Sequence, residues 1–229
     1  MRHSEYDESI ENFRLLQRYA EELKEKWNSE GKPIYNIVES EFESIGHISL
    51  GEMLALAQWG QAFAYAERSM NLEDALNLIN KAQDQIKELN EELSSLSKDE
   101  STEIQFPAKY PDCKGWIHYK LGEFDAAIIC LKYALTLTAQ AEIYLHLALA
   151  SEGKLHELQK SKDWTQAQTM VRQARTYCQH VQELDINKQC EQSVEDLLQR
   201  LQEKGQEVQE MMAQEQKQPR QIYINPSLK

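Results

Sequence analysis

The most informative part of this sequence is LGEFDAAIICLKYALTL, from Leu121 to Leu137. It opens with Leu-Gly-Glu, which is typical of a turn, because glycine adopts the left-handed conformation at helix ends without steric cost. An aromatic residue follows, and apolar residues then recur at three- and four-residue steps, the period of one face of an α-helix. The stretch therefore predicts a turn followed by a helix whose alanines allow close packing against a neighbouring helix.

The same pattern occurs twice more, in MNLEDALNLINKAQDQI from Met70 and in SKDWTQAQTMVRQARTY from Ser161. Each copy has a turn, an apolar or aromatic residue, an alanine, a bulkier apolar residue and a second alanine at constant spacing. The residues at these four positions are Leu72, Ala75, Ile79 and Ala82, then Phe124, Ala127, Leu131 and Ala134, then Trp164, Ala167, Val171 and Ala174. One such helix pair cannot bury its apolar stripe alone, so the pattern predicts stacked pairs.

This pattern resembles the tetratricopeptide repeat, a helix-turn-helix unit of about 34 residues. In the second copy Gly115 and Tyr119 fall in the first helix, and Trp59 stands at the family's aromatic position in the first copy. The resemblance covers roughly residues 48–183 and implies an all-α, right-handed solenoid of stacked antiparallel helix hairpins. Two features depart from the family: the copies are spaced by 52 and 40 residues, and no copy has the proline that follows the second helix. The alternative is an all-α bundle with alanine-rich seams.

Helical periodicity and helix-ending signals divide the chain into four parts. Residues 1–46 are expected to form an N-terminal helical hairpin, which could be a degenerate repeat, with helices over about 8–27 and 34–44. Residues 47–183 hold the repeats and a polar linker near 94–108. The last two parts are a capping or coiled-coil helix over 184–216 and a flexible tail over 217–229.

Local signals place the remaining helices. Ser49-Leu50-Gly51-Glu52 is a capping box, which predicts that a helix begins there and runs to about residue 69. The other helices are expected at 72–93, 109–121, 123–137, 140–158, 163–183 and 188–216.

The composition indicates long helices and an acidic surface. Gly 8 and Pro 5 in 229 residues are few helix breakers, which disfavours β-sandwiches, barrels and glycine-looped nucleotide folds. Asp+Glu 38 against Lys+Arg 25 gives a net charge of −13, and residues 1–104 carry 22 acids and 10 bases. Such a surface repels phosphate backbones, so we expect no nucleic-acid partner.

Other features bear on the compartment. No run of about 18 apolar residues is present, so we expect no membrane span and no membrane partner. The first residues contain no apolar stretch of the kind found in secretory signals, and the four cysteines form no CxxC pair. The sequence therefore predicts a cytoplasmic protein with reduced thiols.

Tetratricopeptide arrays bind a peptide or a helix of a partner protein in a concave groove lined by the first helices of their hairpins. The resemblance places seven candidate partner-binding residues on that groove: Glu67, Arg68, Asp112, Trp116, Tyr119, Lys120 and His146. The chaperone-binding subclass clamps a C-terminal carboxylate with Lys and Asn. Those positions hold Gly60, Ala64, Asp112 and Trp116 here, which disfavours binding of heat-shock chaperone tails.

The groove residues suggest the chemistry of a partner. Trp116 and Tyr119 are expected to anchor an apolar or cationic side chain, and packing between hairpins is the alternative interpretation. Together with the acidic N-terminal half, they predict a protein adaptor or scaffold that binds a basic or amphipathic segment. A coiled-coil contact through residues 188–216 is a further option for the last helix.

No motif of a nucleotide-binding loop, a serine hydrolase or a zinc protease is present, so we expect no enzyme, no cofactor and no metal site. One alternative comes from the spacing Arg175…His180, which resembles the Arg–His pair of HEPN-type ribonucleases, an all-helical family. Another is a regulatory subunit of a larger assembly, with the groove filled by its own chain.

Overall fold

The computed structural model describes residues 2–34, 37–38, 48–96 and 107–217, and these ranges are helical apart from one short strand pair. The helices are α1 (Arg2–Glu30), α2 (Leu50–Glu67), α3 (Leu72–Leu96), α4 (Lys109–Leu121), α5 (Phe124–Leu137), α6 (Ala141–Lys160), α7 (Trp164–Leu184) and α8 (Glu191–Lys217). The strands β1 (Ile37–Val38) and β2 (Ile48–Ser49) pair antiparallel, with Ile37 opposite Ser49. The all-α class predicted from the sequence is confirmed for the described ranges.

Two local signals in the sequence mark a helix start and a helix end as predicted. At the start of α2 the Ser49 hydroxyl accepts from the Glu52 amide (3.2 Å), and the Glu52 carboxylate accepts from the Ser49 amide (2.9 Å). This is the reciprocal capping box, which satisfies two amides that the first turn leaves without helical partners. Gly122, between α4 and α5, has φ 80°, the left-handed conformation that its sequence position predicts.

Successive helices run in opposite directions and pack on each other. Gly51, near the start of α2, faces Leu89, near the end of α3. Gly115 of α4 lies so close to α5 that an added Cβ would be 2.6 Å from Cγ of Leu131. The alanines of the repeat pattern occupy these close approaches, and all six are fully buried: Ala75, Ala82, Ala127, Ala134, Ala167 and Ala174.

The helices α2, α4, α6 and α8 also contact each other in turn and run in the same direction. The Trp59 indole of α2 donates to the Lys109 carbonyl at the start of α4 (3.2 Å), and the Trp116 indole of α4 donates to Glu67 at the end of α2 (2.7 Å). The pairs α4 and α6, and α6 and α8, are in contact as well. The helices α2, α4, α6 and α8 therefore form one row, in which each member also packs on the helix before it in the chain.

The apolar seam of α8 is buried within the chain. Its members are Val194, Leu197, Leu201 and Val208, and they share one core cluster with Val171, Ala174 and Cys178 of α7. The seam of α8 therefore covers an apolar face of α7.

One predicted element is wrong in part. Residues 34–44 were expected to be helical, but Ile37 and Val38 form β1, paired with β2. Two adjacent β-branched residues favour extended backbone, and a strand partner was available just before the capping box. The rest of that region, most of the linker near 94–108 and the tail after residue 217 lie outside the described residues. The first residues of the predicted linker are helical, because α3 continues to Leu96.

Candidate functional site

The seven predicted groove residues lie together, although they come from three separate helices. Glu67 ends α2 and Arg68 caps it, four of the residues belong to α4, and His146 belongs to α6. Since α2, α4 and α6 run side by side in the same direction, residues from corresponding turns face one another. We call the set Glu67, Arg68, Asp112, Trp116, Tyr119, Lys120 and His146 the α4 cluster.

Trp116 is the centre of the α4 cluster. Its indole Nε1 donates to Oε1 of Glu67 (2.7 Å). Its ring stacks with those of Tyr119 and His146, at centroid separations of 4.8 and 4.3 Å. Offset stacking of this kind contributes beyond the area that the rings bury. The indole therefore joins α2, α4 and α6 through one hydrogen bond and one stacked pair.

The polar side of the α4 cluster is a hydrogen-bonding contact between α4 and α6. His146 Nδ1 lies 2.8 Å from Oδ1 of Asp112, and the two side chains are only 8% and 15% exposed. A carboxylate on one ring nitrogen fixes the orientation of an imidazole. Asp112 therefore holds the His146 ring parallel to the Trp116 indole.

The start of α1 closes one edge of the α4 cluster. The Tyr6 hydroxyl donates to Oε2 of Glu67 (3.3 Å), and Asp7 pairs with Arg68. Both carboxylate oxygens of Glu67 are thus used, one by α1 and one by α4. Sequence reasoning missed Tyr6 and Asp7, because nothing local links them to a helix about 60 residues away.

A second polar centre, Glu152 of α6, lies on the other side of Tyr119. Its carboxylate accepts two parallel hydrogen bonds from Arg200 of α8, both 2.9 Å, and a third from Lys204 (3.1 Å). Burial alone would raise the pKa of Glu152, but the two cations hold it below its ordinary value. Burial, with Glu152 nearby, raises the pKa of Tyr119.

The structure corrects the expected role of Trp116. An anchor that a partner buries must be accessible, but Trp116 is 8% exposed and already has ring partners. The cationic partner that its ring was expected to attract is the chain's own Lys120, whose Nζ lies 4.5 Å from the ring centroid. The packing interpretation therefore describes Trp116, while Tyr119 and Lys120 remain partly exposed.

Arg175 and His180 do not meet within this chain. Arg175 reaches towards α8 and donates to the Leu201 carbonyl (3.3 Å). His180 lies against Tyr144 of α6, with ring centroids 4.8 Å apart. Five residues along a helix turn by about 140°, so the two side chains project from different sides of α7. This placement gives no shared phosphate site in one chain.

Within the ranges that the structure describes, no group of three or more His, Cys, Asp or Glu side chains could hold a metal ion. None of the described helices is long and apolar enough to cross a membrane. No family model, curated protein or solved structure matches the sequence.

Proposed function

We propose that this protein is an adaptor that holds a segment of a partner protein against the face formed by α2, α4 and α6. The observation that carries the proposal is the α4 cluster. Seven residues chosen from the repeat pattern, on three helices, adjoin one another on one side of the helix row. A row of parallel helices offers a partner several turns of contact at once.

We further propose that the helix pairs stack as a right-handed, tetratricopeptide-like solenoid. Three features support this architecture. Each pair is antiparallel, the helices α2, α4, α6 and α8 run parallel and touch, and the buried alanines lie where the repeat pattern puts the close approach. In such a solenoid the α4 cluster belongs to the concave side.

The partly exposed members of the α4 cluster define what a partner would meet. These are Glu67, Arg68, Asp112, Tyr119 and Lys120. With Trp116 buried, Tyr119 is the aromatic group that a partner side chain can reach, and Trp116 positions it by stacking. The acidic first half of the chain favours a basic or amphipathic segment, and charge complementarity of this kind acts mainly on the association rate.

Site-specific crosslinking tests the adaptor function. A photo-crosslinking amino acid replaces Lys120, which lies on the proposed face, or Lys132, an exposed residue of α5 that serves as the matched control. In extract of the source cell, we expect one or a few discrete adducts from position 120 that are absent from position 132. A Tyr119→Ala substitution combined with the probe at 120 should weaken those adducts several-fold. Identical adduct patterns from positions 120 and 132 would contradict the proposal.

A further inference from the structure

The groove between α7 and α8 is lined by cationic, amide and apolar side chains. It encloses about 770 Å³ and is lined by Gln168, Val171, Arg172, Arg175, Leu198, Gln199, Gln202, Gly205, Gln206 and Gln209. Two of these residues are cationic, five are glutamines and none is acidic. In a chain of net charge −13, such a lining is unusual.

The two arginines of this groove have no carboxylate partner among the described side chains. Arg172 reaches only the Thr169 hydroxyl (3.5 Å), and Arg175 reaches only the Leu201 carbonyl (3.3 Å). The other arginines whose side chains are described are Arg14, Arg18, Arg68 and Arg200, and each is ion-paired within the chain. The unpaired arginines are thus three residues apart on one helix and face one groove.

Glycine keeps the groove open at its centre. A Cβ on Gly205 would lie 3.2 Å from Cγ1 of Val171 and 3.4 Å from Nη2 of Arg175. Because Gly205 has no side chain, the Arg175 guanidinium can lie directly beside α8. Glu203, which is not a lining residue, accepts from Gln199 (3.3 Å) and leaves both guanidiniums unpaired.

The helices that precede this groove show how the chain seats one helix against two others. The groove between α2 and α3 receives α4, that between α4 and α5 receives α6, and that between α6 and α7 receives α8. The groove between α7 and α8 is of a different kind, because it lies between the second helix of one pair and the helix that follows, and no described helix occupies it. A helical occupant is instead favoured by Arg172 and Arg175, whose spacing of about one helical turn matches carboxylates one turn apart on another helix.

We propose that the groove between α7 and α8 is a second interaction site, which binds an acidic amphipathic helix of a partner protein. Two carboxylates about one turn apart on that helix pair with Arg172 and Arg175, whose Cβ atoms are about 5–6 Å apart at this helical spacing. Arginine suits this role because its planar fork binds carboxylates through two parallel hydrogen bonds. A small apolar side chain between the carboxylates contacts Val171 and Leu198.

The chain's own C-terminal segment does not have this chemistry. Residues 218–229, QPRQIYINPSLK, contain no Asp or Glu and carry two bases. Two like-charged groups in the segment would repel Arg172 and Arg175. The proposed partner is an acidic segment of another protein, and it differs in charge from the basic or amphipathic segment proposed for the α4 cluster.

Binding of a designed peptide tests this site. The probe is a fluorescein-labelled helical peptide of about 15 residues, with Glu one turn apart and Leu between them, compared with the same peptide in which every Glu is Gln. By fluorescence anisotropy at low salt we expect at least tenfold tighter binding of the Glu peptide. The double substitution Arg172→Gln and Arg175→Gln should abolish that preference, whereas Lys132→Gln with Lys217→Gln, an equal loss of charge at exposed sites, should retain it.

A second variant and its melting temperature distinguish loss of binding from loss of folding. Arg172→Gln alone keeps the hydrogen bond from Arg175 to α8, should leave the melting temperature unchanged and should lose several-fold in affinity for the Glu peptide. Equal binding of the two peptides, or loss of preference in the Lys double variant as well, would overturn the proposal. Self-association of the free protein that disappears in the Arg double variant would also overturn it, because the occupant would then be a second copy.

Discussion

At the scale of single residues, Trp116 shows how the polar groups of the α4 cluster are satisfied. A buried indole N–H needs an acceptor. Glu67 of α2, the neighbour of α4 in the helix row, accepts that hydrogen bond. Glu67 is partly exposed, and Tyr6 and Trp116 each donate to one of its two carboxylate oxygens. The α4 cluster is therefore a network, and the loss of one member leaves a partner unpaired.

Replacing Trp116 by alanine should destabilise the fold. The change removes the stacked ring, opens a cavity and leaves Glu67 without one donor, so we expect a loss of about 3–5 kcal/mol in the free energy of unfolding. Urea denaturation followed by circular dichroism measures it. Tyr133→Ala is the control, because that ring is 50% exposed and its removal should cost much less. An unchanged midpoint for Trp116→Ala would mean that the indole is not packed as described.

Glu152 should make stability depend on pH in a defined direction. Because its pKa in the folded protein lies below the ordinary value of 4.5, the ionised carboxylate stabilises the fold above that pH, and this contribution is lost as the pH falls through the folded pKa. We expect Glu152→Gln to cost about 1–2 kcal/mol at pH 7, reduced by the partial exposure of Arg200. The difference from wild type should shrink below about pH 4.5.

The control for this pH series is Glu203→Gln on α8, an exposed carboxylate that bonds to Gln199 in its own helix. Thermal melts of the three proteins across the acid range give the comparison. A gap between Glu152→Gln and wild type that stays constant down to acid pH would show that the Arg200 contact does not depend on the charge of Glu152.

The limits of sequence reasoning at this scale follow from distance along the chain. The repeat pattern predicts which residues of α2, α4 and α6 share a face, since helical spacing and repeat register fix that. It does not predict Tyr6, Asp7 or Glu152, whose partners are about 50–60 residues away with no shared pattern. The sequence also could not decide whether Trp116 is buried within the chain. Aromatic residues on one face of a helix have the same spacing whether a partner protein or a neighbouring helix covers them.

At the scale of elements, the seam between α4 and α5 depends on small residues. Ala127 is fully buried, and its carbonyl would lie 3.1 Å from a Cβ on Gly115. The substitution Ala127→Leu should therefore overpack the seam and cost about 1–3 kcal/mol. Ala213→Leu, on an exposed position of α8, is the matched control and should be nearly neutral. Chemical denaturation of both variants measures the difference, and a midpoint for Ala127→Leu equal to wild type would count against the close approach.

Element boundaries were predicted best where a capping signal or a glycine marks them. The bounds of α4 agree with the prediction, and α2 begins at the capping box. The strand Ile37–Val38 was missed because IYNIVESEFES has apolar residues at helical spacing, and pairing with Ile48–Ser49 outweighs that weak local preference. A two-residue strand has too few residues to show an alternating pattern in the sequence.

At the scale of the whole molecule, the two proposed surfaces differ in the partner charge that they would favour. The α4 cluster belongs to a chain whose first 104 residues carry 22 of the 38 acids, whereas the groove between α7 and α8 has two arginines and no acid. Lowering the salt concentration should therefore speed association at both surfaces, with partners of opposite charge. Such an arrangement suits a scaffold that holds two different segments at once.

The apolar seam of α8 can either pack within its own chain or form a coiled coil with another chain, and one substitution distinguishes the two arrangements. Leu201 is fully buried against α7, so Leu201→Ala should cost about 2–5 kcal/mol in the free energy of unfolding without changing the mass measured by sedimentation. In a coiled coil between two chains the same substitution would instead lower the mass, because that seam would hold the dimer together. Leu198→Ala, at a partly buried position on the same helix, should have a smaller effect on stability. A shift from dimer to monomer in Leu201→Ala would show that the seam of α8 serves a second chain, and that α7 is covered differently in the single chain.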